Sequence, residues 1–574
     1  MASPRSRLAL LLAAVVAAIL VAITACGKPA PRAAAPSSSP PSAAATAPAP
    51  SPSTGSDPAS RAAALVKTLS DEQLAGQVLM PYAYGSSATD VSAASAAGNQ
   101  KLGKVDTPAQ MVQKYHLGGL ILVGFSADDP TSTNQATTNV DNPKQITALT
   151  GGVQQAAGGQ APILIGTDQE FGTVTRIKTG VTVLPSAMAL GAANQPKATQ
   201  QGWSVAGDEL RAMGLNVDFA PDSDVLSTAD GGVIGSRSFG GDPKAVGDQV
   251  AASVKGLQSA GVAATLKHFP GHGSTASDSH TALPVISKSK ADLDKTDLVP
   301  FKSGIDAGAQ LVMSGHLDVK SIEPGVPASF SHKALVDVLR GQLGFKGVVV
   351  TDALNMEPAE QWPAGEAAVR ALNAGNDLLL MPPSVDGAYN GLLNGLHDGS
   401  LKKDRLVEAA TRDLTLRFSL ADAQAGPDHN VLAAQSHLSV ASGLAGAAVT
   451  QLRGQCAAPV KGPVSVTTSG GRATSKATLE KALKSAGVQV VPSGGRVVHL
   501  VGYGDGPGDL NPKADVTVAM DTPYILGSAT SPTLVATYSS TPDSLKALAQ
   551  VLAGKQKPTG KSPVPVPGLP RSVC

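Results

Sequence analysis

Charge is scarce in this 574-residue chain: 16% of residues are Asp, Glu, Lys or Arg, and only ten are histidine. Neither sign dominates, with 45 Lys and Arg against 44 Asp and Glu, so there is no electrostatic ground for a nucleic-acid partner. Neutral partners fit better. No GxSxG is present, which removes the nucleophile elbow of a Ser/His/Asp hydrolase. No HExxH and no companion cysteine pair occur either, which argues against zinc. Internal repeats are lacking too. What remains is a globular composition, 42% hydrophobic, at a length that predicts two domains plus tails.

The first residues read as an address. Arg5 and Arg7 precede an apolar run from Leu8 to Ile23, which ends in "ITAC" at Cys26. This resembles a bacterial lipoprotein signal, implying removal of residues 1–25 and acylation of Cys26. A plain membrane anchor is the alternative, but about 16 apolar residues fall short of the ~20 that span a bilayer. Either reading places the rest outside the cytoplasm, and the first predicts a protein lipid-anchored to the outer face of the cell membrane. Residues 26–58 are rich in Pro, Ala and Ser, and Gly27 to Ser56 contains no aromatic and no acid, so the stretch reads as a semi-extended tether. Two cysteines are left, Cys456 and Cys574, in an export context that permits a disulfide between them.

From residue 59 to about 425, eight short apolar runs alternate with stretches of helical period. They lie near Val78 and start at Gly118, Ala161, Leu215, Ala263, Ala309, Gly347 and Asn376. Continuous apolar runs are the mark of strands buried on both faces, and eight of them predict an α/β chain with a (β/α)8 TIM-type barrel. Nearly every run ends in residues a core rejects: Asp168, Asp218 and Asp222, Lys267 and His268, His316, Asp352. In such a barrel the site sits at those carboxyl ends. A doubly wound sheet is the alternative topology, and it places the site at the same ends. Residues 430–574 carry a second αβ pattern, with runs "VSVTTSG", "VQVVPS", "RVVHLVGYG", "DVTVAMDTP" and "TLVATYSS", predicting a smaller αβ sandwich domain.

The chemistry concentrates in "KHFPGHGSTASDSH", Lys267 to His280. Asp278 and His280 stand two residues apart on a Gly-rich loop after a strand, where a carboxylate can fix the tautomer of an imidazole and raise its basicity. That pair reads as a general acid/base; the bland alternative is a loop whose polar groups merely bond one another. Asp352 ends "GVVVTD" with no adjacent cation, and its bland role is a helix cap. Beside a dyad on another strand end, it reads better as a nucleophile.

"KHFPGHG" followed by "DSH" resembles glycoside hydrolase family 3, in the branch of bacterial β-N-acetylglucosaminidases with a His/Asp acid/base. The resemblance runs from about Ser60 to the end of the barrel through "GTDQEFGTVTR", "LNVDFAPDSDV", "IGSRSFGGDP", "MSGHL" and "VVVTDALNM". It implies that Asp352 is the nucleophile, His280 the acid/base and Asp278 its partner. It further implies that Asp168, Arg176, Arg237, Lys267 and His268 hold the sugar, with no cofactor and no metal. "LVATYSS" and "PTGKSPVPV" are similar to the sandwich domain many members carry. The chain departs from the pattern here: where many relatives have "QEGGRVQ" it has "QEFGTVT", with Phe171 for Gly and Thr173 for Arg among the changes. The implied activity is retaining removal of terminal β-linked N-acetylglucosamine, cell-wall peptidoglycan fragments being the expected substrates. A phosphorylase using the same site and a non-catalytic sugar-binding lipoprotein are the alternatives.

Overall fold

Eight short parallel strands with buried side chains close into a ring: β1 Leu79–Met80, β2 Gly119–Ile121, β3 Leu164–Thr167, β4 Val217–Asp218, β5 Ala263–Phe269, β6 Leu311–Ser314, β7 Val348–Thr351 and β8 Leu379–Leu380. Strands β2 to β7 pair in chain order. β1 pairs with β8, and the bridges Tyr82–Ile121 and Val350–Leu378 complete the circle. All eight apolar runs therefore carry a barrel strand, and closure excludes the doubly wound alternative, which is an open sheet. The computed structural model describes residues 57–574 except 125–138, 229, 276 and 424–425.

The outer helices follow from their sequences. Pro243–Ser259 starts where the Asp242 carboxylate accepts the Ala245 N–H at 2.8 Å and Pro243 fills a first-turn position that needs no donor. Its buried Val246, Val250, Val254 and Leu257 recur at helical spacing and form the face turned to the barrel.

A second sheet contains β9 Thr450–Arg453, β10 Val464–Thr468, β11 Arg496–Val501, β12 Val516–Ala519 and β13 Thr533–Ala536, in the order β9-β13-β12-β11-β10. Only β9 is antiparallel to its neighbour. Two details differ from expectation. "VQVVPS" makes a single bridge, Val490 to Val464, because Pro492 cannot extend a ladder. β9, "TQLR", has too few apolar residues to stand out and owes its place to the edge of the sheet.

The two sheets belong to one compact unit. Met188, Leu226 and Ile234, from segments that follow β3 and β4, share a core with Leu452, Val501, Tyr538 and Val564. Glu209 of the barrel accepts from the Ala433 N–H at 3.0 Å and is 2.9 Å from His437 Nδ1. Cys456 and Cys574 are joined in a disulfide with their Cα atoms 5.2 Å apart.

The lipoprotein signal, Cys26 and the tether to Ser56 lie outside the described residues. The first helix runs Pro58–Val66 with Asp57 as its cap, so Asp57 and Pro58, the last residues of the stretch read as tether, belong to the folded part. No helix among the described residues is long and apolar enough to cross a membrane.

Candidate active site

The carboxyl ends of the barrel strands surround a cavity of about 380 Å³. Asp168, Arg176, Arg237, Lys267, His268, Asp278, His280 and Asp352 all line it, so every expected site residue of the barrel meets in one place.

One wall is an ion cluster. Lys267, on β5, places Nζ 2.8 Å from Asp168 and 2.5 Å from Glu170. Arg237 grips both oxygens of Glu170, at 2.7 and 2.9 Å, and Arg176 stands 3.7 Å from Asp168. Burial alone raises the Glu170 carboxyl, but the charges of Arg237 and Lys267 outweigh it and hold the group down at about 2. Lys267 is likewise buried, and its two carboxylate neighbours push it above its ordinary range. Glu170 was not among the expected site residues. The signal was available, since three expected cations faced a single expected carboxylate.

His268 forms the next part. Its Nε2 lies 3.2 Å from an Arg237 nitrogen, and its Nδ1 2.8 Å from Asp224. A guanidinium only donates, so Nε2 accepts and the ring proton sits on Nδ1. Burial, then the charge of Arg237, holds this imidazole well below its usual range, hence neutral. Asp224, a second residue missed from sequence, also accepts the His272 N–H at 2.6 Å. Burial pushes Asp224 up to about 7 and raises its neighbour Asp222 as well, as expected where two buried carboxyls adjoin. Donor atoms of Asp222, Asp224 and His268 lie within 4.8 Å of one another, but those of Asp224 and His268 are already engaged in the hydrogen bonds just described.

The Gly-rich loop follows. A side chain on Gly273 would strike the Val225 carbonyl oxygen at 2.3 Å, and Gly271 sits at φ +129° against Asp297. His272 between them is buried, packs edge-on to His268 at 5.8 Å and is lowered by burial to about 4, so it is neutral. The loop then brings His280 Nδ1 to 2.8 Å from Asp278, which the contact holds down at about 2.

Asp352 follows β7 and accepts the Ala353 N–H at 2.8 Å. Burial opposes its charge, but the carboxyl stays below its usual range, the Ala353 N–H bond favouring the ionised form. His316 is 3.0 Å from the Ala353 carbonyl through Nε2. That nitrogen must donate, so Nδ1 accepts the Ser329 hydroxyl at 2.7 Å, and the backbone beside Asp352 is fixed.

Phe171 explains one departure from the family pattern. It adopts φ +67°, a conformation that favours glycine, the residue the resemblance led one to expect there, while its ring is buried edge-on to Trp203 at 5.5 Å. Ring burial of about 2–3 kcal/mol outweighs a backbone cost of about 1–2 kcal/mol. The second domain also reaches the cavity, which Tyr503, Gly504, Asp521 and Thr522 help to line.

Comparison with known proteins agrees with this arrangement. Residues 80–416 match the glycosyl hydrolase family 3 N-terminal domain. The chain is 31% identical over 384 residues to β-hexosaminidase A of Pseudoalteromonas piscicida, the match spanning 62% of each chain and so less than two thirds of that relative. It is 39% identical over 265 residues to a β-hexosaminidase of Stenotrophomonas maltophilia, covering 44% of this chain and 77% of that one. The solved family 3 β-N-acetylglucosaminidase of Paenibacillus sp. FPU-7 superimposes with a TM-score of 0.76 at 31% identity, over 87% of this chain and 99% of that one. The chain belongs to glycosyl hydrolase family 3.

Proposed function

We propose that this protein is a β-N-acetylhexosaminidase that removes terminal β-linked N-acetylglucosamine with retention, through a glycosyl-enzyme intermediate. One observation carries the reading: an ionised Asp352 and the His280–Asp278 pair share a cavity with a cluster of three cations and two carboxylates. Asp168, Arg176, Lys267 and Arg237 hold the sugar hydroxyls, for which such mixed donors and acceptors are suited, while His268, expected among them, has both ring nitrogens engaged and orients Arg237. Asp352 attacks the anomeric carbon while His280 protonates the departing oxygen from Nε2, its Nδ1 being occupied by Asp278. Water then enters, His280 takes its proton, and the ester to Asp352 breaks. Asp278 stays ionised throughout and stabilises the imidazolium.

The natural substrates proposed are peptidoglycan fragments, met outside the cytoplasm by a protein lipid-anchored through Cys26. The lipoprotein-like first 26 residues support that location. The deciding experiment compares a chromogenic β-N-acetylglucosaminide with the matching β-glucoside, with and without phosphate. Turnover selective for the acetamido sugar, releasing free N-acetylglucosamine, is expected. Sugar phosphate as product would make the protein a phosphorylase, and no turnover at all would sink the reading.

A further inference from the structure

We propose that Asp521, supplied by the second domain, is a positioning residue for the sugar-binding guanidinium of Arg237. This rests on the glycosidase reading above and adds a part to it that lies outside the barrel.

Arg237 ends a short 3₁₀ turn, Gly235–Arg237, within the long connection between β4 and the helix Pro243–Ser259. Glu170 and His268 hold its side chain, but they do not anchor the turn's backbone. The anchor comes from the opposite side, where the segment after β12 meets the turn. There the buried Ser236 hydroxyl donates to Asp521 Oδ1, Thr522 packs against Gly235, and the Tyr524 ring packs against Gly231.

With its proton committed to Asp521, the Ser236 oxygen can only accept, and the Thr173 hydroxyl lies 3.4 Å from it. A three-member chain, Thr173 to Ser236 to Asp521, thus ties the hairpin that follows β3, Gln169–Phe171 paired with Val174–Thr175, to the Arg237 turn and the second domain. Asp521 and Arg237 line the same cavity. Burial raises the Asp521 carboxyl and the Ser236 bond counters it, as for an acceptor in a closed contact.

Loss of the acceptor strands a buried hydroxyl and releases the turn, so Arg237 no longer meets Glu170 and the sugar in register. Arg237 holds the sugar before and during reaction, so the effect falls on binding more than on the chemical step. The test uses the full chain with Asp521→Ala, Asp521→Asn and Ser236→Ala. The readouts are kinetics on the chromogenic N-acetylglucosaminide and calorimetric binding of N-acetylglucosamine. Asp521→Ala and Ser236→Ala are each expected to raise KM and the sugar Kd about tenfold, the loss of one charge-assisted hydrogen bond, with kcat within about twofold. Asp521→Asn keeps an oxygen that accepts from Ser236 and is expected to restore most of the affinity. A purely architectural Asp521 would lower the melting temperature and leave KM and Kd unchanged, which overturns the proposal. Should Asp521→Ala not fold, an unchanged KM in Ser236→Ala overturns it equally. An inactive wild type would remove the glycosidase reading and this inference with it, whereas an active wild type with unaffected variants removes the inference alone.

Discussion

Asp278 Oδ1 receives two hydrogen bonds from one residue, the backbone N–H of His280 at 2.9 Å and the same residue's Nδ1–H at 2.8 Å. The ring is therefore set by its own backbone, and Nε2 is the nitrogen left for substrate. Asp352→Asn is expected to lose about 10³-fold or more in kcat, since an amide cannot form the ester. His280→Ala is expected to lose about 10²–10⁴-fold on poor leaving groups and far less on good ones. Azide is expected to restore its turnover and yield the β-azide, with Asp278→Asn falling between wild type and His280→Ala. Product analysis by NMR reads the outcome, and a missing azide product would remove His280 from the acid/base role.

Glu170 neutralises two buried cations at once. Glu170→Gln leaves Lys267 with Asp168 and takes from Arg237 the carboxylate that it grips, and removing one partner of a buried pair costs about 3–5 kcal/mol. A large fall in melting temperature together with weaker sugar binding is expected. Near-wild-type stability in calorimetry would mean the cluster tolerates unpaired charge.

Phe171→Gly separates backbone strain from packing. The left-handed φ becomes free of cost, but the ring contact with Trp203 disappears and leaves a void. Net destabilisation of about 1–3 kcal/mol is expected. A rise in melting temperature would show that strain, not burial, dominates there.

His272 makes stability depend on pH in a stated direction. Its folded value of about 4 lies below the ordinary 6.5, so between those values the unfolded chain takes up a proton that the folded one does not. Stability from this group is full above 6.5 and falls as pH drops towards 4, by up to about 1.4 kcal/mol per unit. Asp224, raised by burial to about 7, acts oppositely over the same range. The useful quantity is therefore the difference between wild type and His272→Gln in melting temperature against pH. The variant is expected to lack the acid-side loss, and parallel curves would contradict it.

Ending the chain near Asp422 strips cover from Met188, Ala189, Leu226 and Ile234. Such a fragment is expected to aggregate or to melt without a cooperative transition. A monomeric, cooperatively folding barrel would show that the shared core is dispensable.

The barrel was legible because strands buried on both faces leave an uninterrupted apolar signature, and a charged residue at the end of such a run stands out. Asp352, Lys267 and His268 were found that way. Glu170, Asp224 and Asp521 were not, because what makes them matter is a partner from another segment. Glu170 meets Lys267 and Arg237, and Asp521 meets Ser236 across a sequence separation of 285. Nor could the sequence show that Phe171 takes a left-handed backbone, since only its packing on Trp203 sustains it. β9 escaped because an edge strand needs fewer apolar residues than a central one.

The tail that follows β13 carries a consequence for the order of folding. Ser186 donates to the Tyr538 carbonyl across a sequence separation of 352, the Lys561 N–H donates to Ala192, and the Gly241 N–H to Pro563. The eight barrel strands are complete once β8 has been made, yet the loops after β3 and β4 still wait for partners near the far end of the chain. Contacts of such long span form late. During synthesis the barrel must persist with an uncovered apolar flank, a state prone to association, and the loop bearing Arg237 settles only when residues 560–574 arrive. A half-made chain would thus hold Asp352 and Lys267 before it could grip a sugar, and activity would ripen with the last segment translated.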